Sequence, residues 1–193
     1  MSFSRIPKLT CMCSLLILFT GAVATRAQSD SSAPASPADK HFITAALRGG
    51  MAEVALGRLA AEKANSDDVK QFAEKMVADH TQLGDQMTGV AERIGVTPPT
   101  VLPAADLALQ AKLKALSGDA FDEAYIRAMV KDHESDLAAF NEEVTAGTSA
   151  AVTGAAAQGA KVVQEHLNII RKIAEMHHVD LNAETARSNP GSL

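Results

Sequence analysis

Tryptophan is absent from this chain of 193 residues, tyrosine occurs once, and aromatic residues make up 4% of it. Sheets draw on aromatic and β-branched side chains, so this scarcity, with alanine abundant, argues against a β-sandwich or barrel. Cysteine is nearly absent as well: Cys11 and Cys13 are the only two, both at the start of an apolar run over 11–24. If processing removes that run, no thiol is left. Thiolate catalysis, cysteine-ligated metals and disulfides are then excluded, and a domain of this size buries enough apolar surface without cross-links. Blocks of Lys and Arg are missing too. The formal net charge is −5, and without residues 1–27, which carry Arg5, Lys8 and Arg26 and no acid, it is three units lower. Nucleic acid is therefore not an expected partner, and no basic patch for phosphate or a membrane surface survives.

The apolar run of 14 residues falls short of the roughly 20 that a membrane-spanning helix needs. With Arg5 and Lys8 before it and small residues after it, residues 1–27 read as a secretory signal, cleaved after Ala24 or after Ala27. The expectation is an exported protein, periplasmic or extracellular, with no transmembrane segment after processing; the sequence does not indicate its protein partners. Residues 28–36 and 181–193 are polar and rich in small residues, and read as a disordered linker and tail around a bundle domain over 37–180.

Within that domain apolar residues recur at spacings of three and four, the period of amphipathic helices. A first helix is predicted over about 37–64, opened by Ser36, Pro37 and Asp39 as cap, first residue and first-turn acid. Its core stripe is Phe42, Ala46, Gly49, Glu53, Leu56 and Ala60. A second follows from a Ser66 cap to Ile94, with Gly95 as its stop and Val69, Phe72, Met76, His80, Leu83, Met87 and Val90 inward. A short helix over 104–116 then carries Asp106, Leu109 and Leu113. A long one over 119–146 carries Ile126, Met129, His133, Leu137, Phe140 and Val144. The stretch 148–160 is weakly determined, and a last helix to about 178 carries Val162, His166, Ile170 and Ile173. The pattern predicts an all-α, up-and-down four-helix bundle with an additional short helix between the second and third long ones.

Segment 72–80 matches segment 125–133 at an offset of 53 residues, each ending in Met-Val-x-Asp-His, and the offset also pairs Leu56 with Leu109 and Glu53 with Asp106. A duplicated helical hairpin explains this economically. Glu53, His80, His133 and His166 interrupt the apolar stripes of the four long helices, one on each. In a hairpin turning near Asn65, Glu53 and His80 differ in height by roughly 4 to 5 Å at about 1.5 Å per residue. His133 comes level with them, and so does His166 if the weak stretch is partly loop.

One carboxylate and three imidazoles meeting in a core invite a metal ion or a mutual hydrogen-bonded network. The set suits one divalent ion, zinc, iron or manganese. Copper is less favoured, although Met76 and Met129, one turn before their histidines, offer soft sulfur in reserve, as Asp106 offers a carboxylate. Asp79, Asp132 and Glu165 immediately precede the three histidines and are placed either to orient a histidine on a neighbouring helix or to be solvated. Glu three residues before His, the di-iron pattern, is missing: Val77, Val130 and Val163 stand there, so a carboxylate-bridged dinuclear centre is disfavoured. Gly49 and Gly84 flank Glu53 and His80 by one turn, as if space were needed beside them. A metal-binding bundle, a structural bundle with a core network, and a mononuclear redox enzyme with Tyr125 nearby all stay open, with no catalytic residue assigned.

Segments 49–60, 72–80, 121–133 and 165–167 resemble the secreted bacterial family catalogued as domain of unknown function 4142, over about residues 38–178. The resemblance implies a ferritin-like helical bundle exported beyond the cytoplasmic membrane, sometimes labelled an outer membrane protein, with no established activity. The sequence departs from the family over 148–161, which is richer in Ala and Gly and leaves the register of His166 open.

Overall fold

The computed structural model describes residues 33–181; the signal segment, most of the linker and nearly all of the tail lie outside them. Five helices form among the described residues: α1 (Pro37–Lys63), α2 (Asp67–Arg93), α3 (Ala104–Lys114), α4 (Gly118–Ala146) and α5 (Ala150–Met176). No strand occurs among the described residues, and no helix there is long and apolar enough to cross a membrane.

Helix ends follow from local chemistry and from partners far away in sequence. Ser36 and Asp39 form a reciprocal capping box: the Ser36 Oγ accepts the Asp39 N–H at 3.1 Å, and the Asp39 carboxylate accepts the Ser36 N–H at 2.6 Å. Asp39 also accepts the Thr148 N–H at 2.9 Å and its hydroxyl at 2.6 Å, which ties the α4–α5 turn to the start of α1. Burial pushes the Asp39 pKa up, but these bonds outweigh it and hold the carboxyl well below the ordinary range. Gly95 ends α2 in the left-handed region, φ +71°, where glycine bears no steric penalty. Ser66 does not cap α2 with its own side chain. Its hydroxyl and N–H donate to Asp122 near the start of α4, at 2.7 and 2.8 Å, and Asn65 N–H joins them at 2.9 Å.

These ties fix directions. The start of α1 meets the end of α4, the end of α1 meets the start of α4, and His177 after α5 meets Asp68 at the start of α2. In the ring α1–α2–α5–α4 each helix is antiparallel to both neighbours. The α2–α4 connection therefore runs back along the bundle, and α3 lies on it over α1 and α4, burying only Leu113 fully.

The α5 stripe is Val152, Ala156, Gly159, Val163, His166, Ile170 and Ile173, with Val163 rather than Val162 buried. Most of the small residues of 148–161 are helical rather than loop, since α5 begins at Ala150. At Gly159 the small residue has a cause: a Cβ there would run into the Phe140 ring. Val144 faces outward, 39% exposed. Two apolar clusters fill the bundle. One includes Leu56, Phe72, Met76, Tyr125, Met129 and Ile170; the other Ile43, Leu83, Met87, Phe140 and Val163. Glu53, His80, His133 and His166 lie where the two clusters meet.

Candidate metal centre

All four polar residues are buried, with Glu53 and His80 at 2% exposure and His133 and His166 at none, so solvent cannot satisfy them. Three helices bring the imidazoles into contact, with ring centroids 5.0 Å apart for His80 and His166, 5.6 Å for His133 and His166, and 5.7 Å for His80 and His133. One ring nitrogen from each lies within 4.8 Å of the other two.

In each ring one nitrogen is held by an oxygen. His133 Nδ1 donates to the Met129 carbonyl one turn back, at 2.9 Å. His166 Nε2 donates to Asp79 Oδ2 at 2.8 Å. His80 Nδ1 sits 2.8 Å from Glu53 Oε2, off the hydrogen-bond line. The opposite nitrogens turn toward one another: His80 Nε2 lies 3.1 Å from His166 Nδ1, and His133 Nε2 lies 3.5 Å from Glu53 Oε1. Neither His133 Nε2 nor Glu53 Oε1 has a hydrogen-bond partner. An oxygen behind each imidazole, with the opposite nitrogens converging in front, is the arrangement that metal-binding histidines adopt.

The electrostatics sort the groups. Burial pushes the Glu53 pKa up, but His80 foremost and then His133 and His166 bring it below the ordinary value, so it is a carboxylate. Burial pulls His80 down and Glu53 more than restores it, leaving it raised. His133 is lowered to about 4, chiefly by burial, and His166 is lowered for the same reason despite Asp79. Neutral imidazole with a free lone pair is the ligand form.

The flanking acids separate. Asp79 takes His166 and Lys75, the latter at 2.9 Å. Glu165 is exposed and binds the other side of Lys75 at 2.9 Å, away from the histidines. Asp132 offers an oxygen within 4.8 Å of Glu53 and His133. Asp106, half-buried on α3, lines a groove with Asp132. Met76 and Met129 are fully buried in the apolar cluster beside the layer, and Met129 reaches His133 through its carbonyl. Tyr125 is buried with its hydroxyl unpartnered.

Asp136 escaped the sequence reading. It lines a void of about 10 Å³ with Glu53, His80, Gly50 and Gly84, and its pKa is raised to about 8 by burial and by Glu53 and Asp132. A signal was present: the 53-residue offset puts Asp136 in the place of core Leu83.

A family profile described as domain of unknown function (DUF4142) matches residues 24–173. Among solved structures, a DUF305 fragment from Deinococcus radiodurans superposes with a TM-score of 0.67 at 16% identity, covering 75% of this chain and 99% of that one. The "putative secreted protein DUF305" from Streptomyces coelicolor superposes with a TM-score of 0.64 at 13% identity, covering 74% and 94%. At these identities the likeness is one of fold. No curated protein matches the chain.

Proposed function

This chain belongs to the DUF4142 family, a domain of unknown function, and from that premise we propose that its polar layer binds one divalent transition-metal ion. His80 Nε2, His133 Nε2 and His166 Nδ1 would be the nitrogen ligands and Glu53 Oε1 the oxygen ligand, while Asp79, the Met129 carbonyl and Glu53 Oε2 orient the three rings. The observation that carries the proposal is the pair of fully buried, unpartnered lone-pair atoms, His133 Nε2 and Glu53 Oε1, 3.5 Å apart. A buried polar atom without a partner costs roughly 1–3 kcal/mol, and an ion would turn that cost into binding. Three nitrogens and one carboxylate oxygen suit zinc, iron(II) or manganese.

A second reading has its own support. His80, His166, Asp79, Lys75 and Glu165 form an unbroken chain of contacts, and a purely structural network would use it to fix helix register. That reading leaves His133 without a role for Nε2. Export of the chain is part of the proposal; the signal-like segment and the name of the Streptomyces neighbour support it.

Titration of zinc, manganese, iron(II) and copper against wild type and His133→Ala, under anaerobic conditions, separates the readings. Metal binding raises the wild-type melting temperature by mass action, and His133→Ala abolishes the rise. Equal midpoints with and without every ion, in protein that also purifies metal-free, would overturn it.

A further inference from the structure

Gly50 on α1 and Gly84 on α2 line the same groove, and the space where each would carry a Cβ is open, with no atom within 4 Å. Glycine inside a helix is destabilising relative to alanine, and close packing does not account for it here, because nothing packs against either residue. Gly49, in contrast, has Asp136 Oδ2 at 3.7 Å from its Cβ position, an ordinary contact.

The two glycines belong to two cavities at once. Outside is a groove of about 530 Å³, walled by Leu47, Met51, Val54, Pro99 and Leu102 and reaching His80 at its floor. Inside is the void of about 10 Å³ beside Glu53, His80 and Asp136. Gly50, His80 and Gly84 line both. The inner void has room for roughly one water-sized molecule. A buried atom without a hydrogen-bond partner, Glu53 Oε1, belongs to a residue that lines it, while His80 Nδ1 is turned to Glu53 Oε2 at 2.8 Å.

We infer that the gap between Gly50 and Gly84 is a passage through which a small uncharged molecule, of the size of water or a diatomic gas, reaches the Glu53–His80 side of the metal centre. The class follows from the walls: the outer groove is mainly apolar, and the Glu53 carboxylate at the inner end repels anions. A centre served by such a passage keeps a coordination position open, as catalytic and gas-binding sites do and closed structural sites do not. The inference rests on metal binding by the polar layer.

Nitric oxide is the probe. Protein loaded anaerobically with iron(II) is mixed with nitric oxide in a stopped flow, and the iron–nitrosyl complex is read by electron paramagnetic resonance. Gly84→Val and Gly50→Val, which fill open space and leave the ligands in place, are expected to slow nitrosyl formation at least tenfold with iron(II) affinity unchanged. Gly89→Val, also on α2 and facing open space but outside both cavities, is expected to match wild type. Nitrosyl formation at the same rate in all proteins, or iron(II) binding with no nitrosyl at all, would overturn the passage and leave the metal site standing. Failure of iron(II) to bind wild type would remove the metal site and the passage with it.

Discussion

Segments 72–80 on α2 and 125–133 on α4 share Met-Val-x-Asp-His and place Met, Asp and His at the same heights, yet their charges are completed in different ways. On α2, Lys75 stands one turn before Asp79 and binds it at 2.9 Å. With His166 on the other side, Asp79 is lowered below its ordinary pKa although burial opposes this. On α4 the equivalent of Lys75 is Ala128. Among the described residues Asp132 makes no ion pair, and burial, Glu53 and Asp106 raise it to about 7. The histidines diverge accordingly: His80 faces Glu53 and is raised, while His133 gives its Nδ1 proton to a carbonyl and is lowered to about 4. One copy is completed by its own lysine. The other gathers Asp132, Asp136 and the free Nε2 of His133 with no lysine or arginine paired to them among the described residues, and that is the side an external ion would complete.

The largest effect is expected where the two copies differ most in character. Asp136→Leu restores the side chain that its equivalent Leu83 provides and removes a carboxyl from an apolar setting. In metal-free protein at pH 8 it should raise the unfolding free energy by about 1–3 kcal/mol, read by urea denaturation, because an incompletely compensated polar group no longer has to be buried. Divalent-ion affinity should fall in the same variant. A loss of stability of the size seen on core truncation would show that Asp136 is held by compensating contacts and that the asymmetry is not a surplus of charge.

Much of this was legible beforehand because it depends on short stretches of chain. The capping box at Ser36 and Asp39, the stop at Gly95 and the stripes of α1 and α2 follow from residues within one or two turns of each other. Glu53, His80, His133 and His166 stood out because each is polar at an apolar position. What stayed hidden depends on distant partners. The α5 start carries little contrast between polar and apolar residues, and the glycine at 159 is explained only by the Phe140 ring packed on it from α4. Ser66 has the sequence of a cap, but Asp122, 56 residues away, takes its hydroxyl. Asp136 was passed over for Leu137, since a helical stripe tolerates either of two adjacent positions; the internal repeat would have decided between them.

Ala128→Lys tests the missing cation directly. Asp132 has a folded pKa of about 7 against an ordinary 3.8, so the fold favours its protonated form. Its contribution is present in acid and is lost as the pH rises through about 7. Asp79 works in the opposite sense: its folded pKa lies below 3.8, so its contribution is present above that value and is lost on acidification. A lysine at 128 should bring Asp132 toward the behaviour of Asp79 and reduce the loss of stability between pH 5 and pH 8 by roughly 1 kcal/mol in metal-free protein. Carboxylate NMR titration and melts at the two pH values measure this. An unchanged Asp132 titration would mean that its raised pKa comes from burial alone and not from a missing partner.

Tyr125→Phe gives the smallest expected change, and it makes the first residue of the second copy identical to Phe72. Tyr125 is fully buried, stacks on Phe121 with ring centroids 6.1 Å apart, and meets Phe72 edge-on at 6.4 Å. The aromatic contacts survive the substitution. The hydroxyl makes no hydrogen bond, and burial, reinforced by Glu53, drives its pKa far upward, so it stays protonated at any working pH. Removing a buried hydroxyl that bonds to nothing should leave metal-free stability unchanged or raise it by up to about 1 kcal/mol, read as a small upward shift of the melting midpoint. Metal affinity should not move, since none of the proposed ligands is held by Tyr125. A drop in metal affinity with stability intact would instead assign the hydroxyl to the centre, and the two copies would then differ in function at their first residue as well as in charge.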